Sequence, residues 1–312
     1  MALAEDAAIR DQPELGERVV PLRHPWRMLG VAVILVALAM LIHAAVTEGG
    51  FEWSVVGQYL FARSVLDGVV TTIELTGSAM GLGVSLGLVL AVMRMSDSPV
   101  ISFVARTYIS VFRGIPALVQ MIFWFNMAAL IPRLSAGIPF GPSYFHFSAS
   151  SVFSPFLAAT LGLGLAEAAF MAEIFRGGLL SVHEGQLDAA RSIGMRRLTA
   201  LRHVVLPQAM KSVIPPTGNE VIGMLKYSAI ASVISVTELL ESVTEIFDRT
   251  FQTMPLLMVA ALWYLALTTL LTVGQRQIEW RFARGTDQRG TSLMTQAWRN
   301  ARYSRASGGA GK

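Results

Sequence analysis

Four stretches of this chain run for about 20 residues without an Asp, Glu, Lys or Arg: Met28–Thr47, Leu75–Met93, Gly114–Pro132 and Thr250–Gln275. A bilayer core about 30 Å thick demands this pattern, because a helix satisfies its own backbone there and must present apolar side chains. Two more runs belong with them. Leu134–Ala166 is longer, but Pro139, Gly141, Pro142 and a serine cluster break its first half, which places a helix at about Val152–Arg176. Val213–Val236 is apolar apart from Glu220 and Lys226. The expectation is an all-α integral membrane protein with six spanning helices. Composition agrees, with 15% charged residues against about 25% in soluble domains. There is no cysteine, which excludes disulfides, thiol nucleophiles and Cys-ligated metals.

The basic residues alternate along the chain. Arg10, Arg18, Arg23 and Arg27 precede the first run, and only Arg63 lies between the first and second. Arg94, Arg106 and Arg113 follow, then Arg133 alone, then a cluster from Arg176 to Lys211, then Arg249 alone, then eight from Arg276 to the C-terminus. Basic residues collect on the cytoplasmic side of membrane proteins. Both termini and the cluster are therefore expected inside, and the pI of 9.7 reflects this bias, not a nucleic-acid-binding patch. The organisation read this way is a cytoplasmic tail over 1–27, a membrane domain over 28–282 and a basic tail over 283–312. Both tails have little to bury and are expected to be disordered. The first run follows a long polar tail and lacks a small-x-small cleavage site, so it is read as a retained helix and not a signal peptide.

The most soluble-looking passage lies inside this apolar context: "EGQLDAARSIGMRRLTALRHVVLP", residues 184–207. Leu187, Ala190 and Ile193 line one helical face, and Leu198, Leu201 and Val205 line another beyond Gly194. Gly194 suits a left-handed helix end, and Pro207 suits the opening turn of a further helix. Two short amphipathic helices follow, the first kept slim by Ala189 and Ala190. Such a pair could seat in a cleft of another protein or pack as an ordinary loop against its own helices.

The spacing of this passage resembles the cytoplasmic "EAA" loop of ABC importer permeases. Asp188-Ala189-Ala190, Gly194, Val204 and Leu206-Pro207 keep every interval, with Asp188 in place of the usual Glu. The flanking stretches "EAAFMAEIFRGGLLSVHEGQLDAARSIGM", "VFRGIPALVQMIFWF" and "LPQAMKSVIPPTGNEVIGMLKYSAIASVISVTEL" are similar to the polar-amino-acid branch, over residues 66–282. One departure is Lys226-Tyr227-Ser228-Ala229-Ile230, where the family often has Lys-Asp/Tyr-Thr/Ser-Ser-Leu. The resemblance implies a five-helix core plus an extra N-terminal helix in a bacterial inner membrane, and no enzyme activity in this chain. It implies a docking loop over 181–207, with Gly185, Asp188, Ala189, Ala190, Gly194, Leu206 and Pro207 meeting a separate ATPase subunit. It also implies a second permease subunit, an extracytoplasmic amino-acid-binding protein, and ATP with its magnesium on the ATPase.

The remaining chemistry is sparse. Lys211, Lys226 and Lys312 are the only lysines, and none completes G-x-x-x-x-G-K-[ST], so this chain has no phosphate loop of its own. The five histidines form no H-E-x-x-H pair and there is no G-x-S-x-G elbow. Rival readings are a proton-coupled secondary carrier, prompted by Glu74, Glu167, Glu173 and Glu220, and an intramembrane enzyme. Neither accounts for residues 184–207, and no inverted repeat of the carrier kind is seen. Charges within a span cost at least about 2.5 kcal/mol near the bilayer centre and need a reason. Glu173 and Arg176 are spaced for a local pair, and Glu74 lies near the outer end of its helix. Glu167, Asn219, Ile222 and Lys226 are the candidate translocation-pathway residues, the last three on the central helix of the permease interface by resemblance. Lys226 would suit a carboxylate-bearing substrate.

Overall fold

The computed structural model describes residues 25–47, 51–137, 143–148 and 153–283. The expectations about the two tails fall outside these residues, apart from a few at their inner ends. The chain forms two compact units, Met1–Glu52 and Trp53–Lys312. In the first, helix α1 (Pro25–Thr47) is about 34 Å long. Leu29, Val33, Ile34 and Leu38 are all exposed, so it has no buried stripe. A helix apolar on every side suits lipid.

The second unit begins with α2 (Trp53–Tyr59), α3 (Arg63–Arg94), α4 (Pro99–Gly114), α5 (Ala117–Phe125) and the single turn α6 (Met127–Leu130). An antiparallel hairpin follows, β1 (Arg133–Gly137) with β2 (Ser143–Ser148), irregular between Ala136 and Gly137. Then come α7 (Pro155–Leu180), α8 (Glu184–Ser192), α9 (Arg197–Ala200), α10 (Leu206–Tyr227), a 3-10 stretch Ser228–Ile234, α11 (Leu239–Thr250) and α12 (Thr253–Ala283).

Among the described residues, α3, α7 and α12 are long and apolar enough to cross a membrane. The expected single span at Gly114–Pro132 is corrected. Here α4 and α5 are a pair bent by 97°, because Pro116 lacks an N–H and forces Ile115 into an extended conformation (φ −101°, ψ 128°). Length and apolarity alone thus give three continuous spans, or four if the bent pair is one span, while α1 overlaps the first expected run and α10 with the 3-10 stretch overlaps the run Val213–Val236. The hairpin lies in the connection between α6 and α7 of an otherwise helical unit. Pro215 and Pro216 lie inside α10. Their missing N–H groups loosen the helix. Gln275 of α12 meets it here, donating to the Pro215 carbonyl at 3.1 Å and to Asn219 Oδ1 at 3.2 Å.

Helix α7 is the centre of the unit. Ser154 caps it, accepting from the Leu157 N–H at 3.2 Å, and Ala158, Ala159, Ala168, Ala169 and Ala172 are fully buried. Small residues let membrane helices approach closely, and the α3–α7 contact uses this. A side chain at Gly83, Gly87 or Gly164 would run into the facing helix, whereas Gly77 and Gly81 face open space. At the far end of this contact the expected Glu173–Arg176 pair is present at 2.9 Å, and Arg94 of α3 joins it on the other Glu173 oxygen.

About 33 Å away along α3, a second polar cluster ties three elements together. Glu238 is fully buried. It caps α11 by accepting the N–H groups of Leu240 (3.0 Å) and Glu241 (2.9 Å), and it accepts the Tyr264 hydroxyl of α12 at 2.8 Å. Thr72 of α3 accepts the Leu239 N–H at 3.0 Å. Burial pushes the Glu238 carboxyl above the ordinary glutamate range, an effect these hydrogen bonds partly offset.

Candidate functional site

Two regions can carry function: the 184–207 segment, and a cavity where α4, α5, α7 and α10 converge.

The segment folds locally as expected. His183 caps α8 by accepting the Gly185 N–H at 3.0 Å. Its other end is closed by Gly194 at φ +78°, with the Met195 N–H on the Ala190 carbonyl (3.0 Å) and the Gly194 N–H on the Arg191 carbonyl (2.9 Å). This pair of bonds is a Schellman motif, and it needs the left-handed residue that glycine supplies at no steric cost. Beyond it Pro207 stands in the first turn of α10, as expected. What the sequence did not indicate is that this helix is continuous with the one before it. Helix α9 runs through a π turn, Leu201–Val205, into α10, with the Leu206 N–H reaching back to the Leu201 carbonyl. A π turn widens the helix where the Pro207 ring would otherwise press on a carbonyl of the preceding turn.

The burial pattern divides the expected docking residues. Gly185, Asp188, Ala189, Gly194, Leu206 and Pro207 are exposed. Ala190 and Ala200 turn inward, 3% and 1% exposed, so Ala190 packs on its own chain and cannot serve as an outward contact. Asp188 carries a local partner, Arg191 at 3.3 Å. Ile193 and Leu198 flank Gly194 and stand 77% and 76% exposed. The sequence placed Ile193 on one helical face and Leu198 on the other, without deciding whether those faces meet another protein or the chain itself. Their position next to a tight helix end was the available signal that they point away.

The cavity has a volume of about 440 Å³, and Arg113, Leu163, Glu167, Phe170, Glu220 and Tyr227 are among its lining residues. Glu167 is 5% exposed, and its Oε1 is buried with no hydrogen-bond partner. Close contact with α3 helps to hold it, because a Cβ on Gly83 would sit 2.6 Å from Glu167 Cγ. Glu220 lies within electrostatic reach of both Glu167 and Arg113.

Only Glu167 of the four expected pathway residues lines this cavity. Ile222 lines a different, apolar cavity of about 460 Å³ between α10 and α12. Asn219 and Lys226 are exposed on a third face of α10. Glu220, Met224 and Tyr227 fall together because residues three and four apart share a helix face. The spacing Asn219–Ile222–Lys226 gave the right periodicity but the wrong face for this cavity. A charge at 220 in an apolar run was the visible signal for its true partner. Among the described residues no cluster of side chains suits a metal ion.

Residues 83–284 match the family described as "Binding-protein-dependent transport system inner membrane component". The arginine transport system permease protein ArgU of Corynebacterium glutamicum is 40% identical over 90% of this chain and 88% of its own length. The octopine transport system permease protein OccM of Rhizobium radiobacter is 34% identical over 70% of this chain and 85% of its own length. A crystal structure of an amino acid ABC transporter with histidines superposes with a TM-score of 0.60 at 34% identity, covering 72% of this chain and 97% of that one. An inward-facing MetNI methionine ABC transporter shares the fold at 17% identity and a TM-score of 0.57.

Proposed function

This chain belongs to the family of binding-protein-dependent transport system inner membrane components, and on that premise we propose that it carries amino acids with a cationic side chain into a bacterial cell. It is a multi-pass membrane permease subunit of an ABC importer, not an enzyme. That membership sets aside the secondary-carrier and intramembrane-enzyme readings. The finer reading is ours. A separate ATPase subunit binds ATP and its magnesium, a second permease subunit completes the pore in the bacterial plasma membrane, and an extracytoplasmic binding protein delivers substrate to its outer side.

One observation carries the coupling: the rigid Gly194 turn holds two large apolar side chains, Ile193 and Leu198, outward among Asp188, Arg191, Arg196 and Arg197. Exposed apolar groups ringed by charge are the usual pattern of a protein interface, where desolvated anchors dominate the energetics. ATP-driven closure of the ATPase pair would push on this segment. The push would reach α10 directly through α9 and the π turn, and α3 and α7 through the Arg94–Glu173–Arg176 cluster. The substrate class rests on the carboxylate-lined cavity and on the arginine permease likeness.

The test is co-purification. The double variant Ile193→Asp with Leu198→Asp should still insert into the membrane, yet lose the ATPase subunit and at least about tenfold of uptake, as truncation of interface anchors does. Normal recovery of the ATPase subunit with normal uptake would remove the segment from the interface.

A further inference from the structure

We propose that Arg113 recognises the α-carboxylate of the transported amino acid in the Glu167–Glu220 cavity and so makes that cavity select amino acids over the corresponding amines. The assignment rests on the reading of this cavity as a substrate site.

The position of Arg113 is fixed by the backbone. It lies in the last turn of α4, immediately before the break with α5. Gln120 locks that break, its side-chain amide donating to the carbonyls of Phe112 at 3.0 Å and Ile115 at 2.9 Å. Gly114 and Pro116 end one helix and start the next without slack. A group that must meet a small ligand is well placed on such a corner, because rigid support keeps the approach geometry constant.

The side chain faces the cavity but is not consumed by it. Its guanidinium sits over the Phe170 ring, 4.9 Å from the centroid. Phe170 is on α7, three residues from Glu167, and lines the same cavity. Among the described residues Arg113 forms no ion pair, unlike Arg63, Arg94, Arg176 and Arg191. The cation–π contact orients the planar fork while leaving its N–H donors free, which is the state in which Arg accepts a carboxylate in two parallel hydrogen bonds.

The charge pattern then has one reading. The cavity lining carries two carboxylates, Glu167 of α7 buried with one oxygen unpartnered and Glu220 of α10 within its electrostatic reach. Arg113 of α4 brings one guanidinium to the same lining. An amino acid with a cationic side chain has the inverse pattern, two cations and one carboxylate. Without Arg113, the ligand carboxylate would enter a cavity carrying only like charge, which is unfavourable. An amine lacking the carboxylate would meet no such obstacle and gain nothing from Arg113.

This separates recognition from cavity shape in a ligand cycle. The permease–ATPase complex, purified without the binding protein, is measured for equilibrium binding of radiolabelled arginine and for competition by agmatine, which is arginine without its carboxylate. In the wild type, agmatine should bind about tenfold or more weaker than arginine, the scale of a charge-assisted hydrogen-bonded pair. Arg113→Gln should weaken arginine by a similar factor and leave agmatine within about twofold, so that the two ligands become alike. Arg113→Lys should restore part of the difference, since it keeps the charge and loses the fork. Equal weakening of both ligands by Arg113→Gln would overturn the assignment and make the residue part of the wall. Equal binding of arginine and agmatine in the wild type would overturn it as well. If arginine does not bind the wild-type complex at all, the cavity is no substrate site and this assignment goes with it, while the coupling reading stands or falls on co-purification of the ATPase subunit.

Discussion

Glu238 and Glu167 are both glutamates shut away from solvent among helices, and the protein treats them in opposite ways. Glu238 receives two backbone N–H groups and a tyrosine hydroxyl, and it joins α11 to α12 beside a threonine of α3. Glu167 has a buried oxygen that receives nothing, beside an open volume of about 440 Å³. Leaving a buried acceptor unmade is costly, and proteins rarely do so without cause. The contrast teaches where this molecule spends hydrogen bonds on cohesion and where it withholds them so that something else can supply them.

The sharpest way to break the contrast is Glu238→Leu. It leaves the N–H groups of Leu240 and Glu241 and the Tyr264 hydroxyl without their acceptor, each costing about 1–3 kcal/mol when buried. Thermal unfolding of the purified complex should show a loss of at least about 3 kcal/mol, or no folded protein at all. A variant as stable as the parent would mean that the cluster is incidental. Next in size is Glu167→Gln. Uptake by the assembled importer should fall about tenfold or more, as expected when a charged partner of the ligand is lost. The unfolding temperature should hold or rise, because a buried charge is removed without unmaking a bond. A drop in stability like that of Glu238→Leu would place both glutamates in the same structural role.

The smallest effect is a pH slope. Burial raises the Glu238 carboxyl above 4.5, so the folded protein keeps that proton to higher pH than the unfolded chain does. Where the folded state holds more protons, stability falls as pH rises. The decline attributable to Glu238 should therefore start near 4.5 and run upward to its folded value. Subtracting the unfolding temperatures of Glu238→Gln, measured over the same pH series, should isolate it. A difference that rises with pH would contradict the sign.

These glutamates also mark how far the sequence could be read. The apolar runs, the basic alternation and the Gly194 turn are local properties, and each was legible from residues close together in the chain. The Glu173–Arg176 pair was legible for the same reason, but Arg94, 79 residues away, was not. The 97° break was hidden because Gly114 and Pro116 stand beside apolar residues that suit a straight span equally well. The contact of Gln275 with the proline pair of α10 was not legible, because Gln275 is 60 residues from Pro215. The cavity was half legible. Glu167 stood out as a charge among apolar residues, but its meeting with Glu220 and Arg113 depends on three helices arriving at one place.

The π turn at Leu201–Val205 has a consequence of phase. It inserts one residue beyond the normal helical count, and one residue is about 100° of rotation about the axis. Every side chain of α10 past that point is therefore aimed by the turn. Remove a single residue from it, keep the docking segment in place, and Glu220 would swing about 100° away from Glu167, leaving another residue of α10 in its place. The bearing of a carboxylate in the membrane is thus set by a short stretch within the 184–207 segment, which acts on α10 as an indexing collar acts on a shaft.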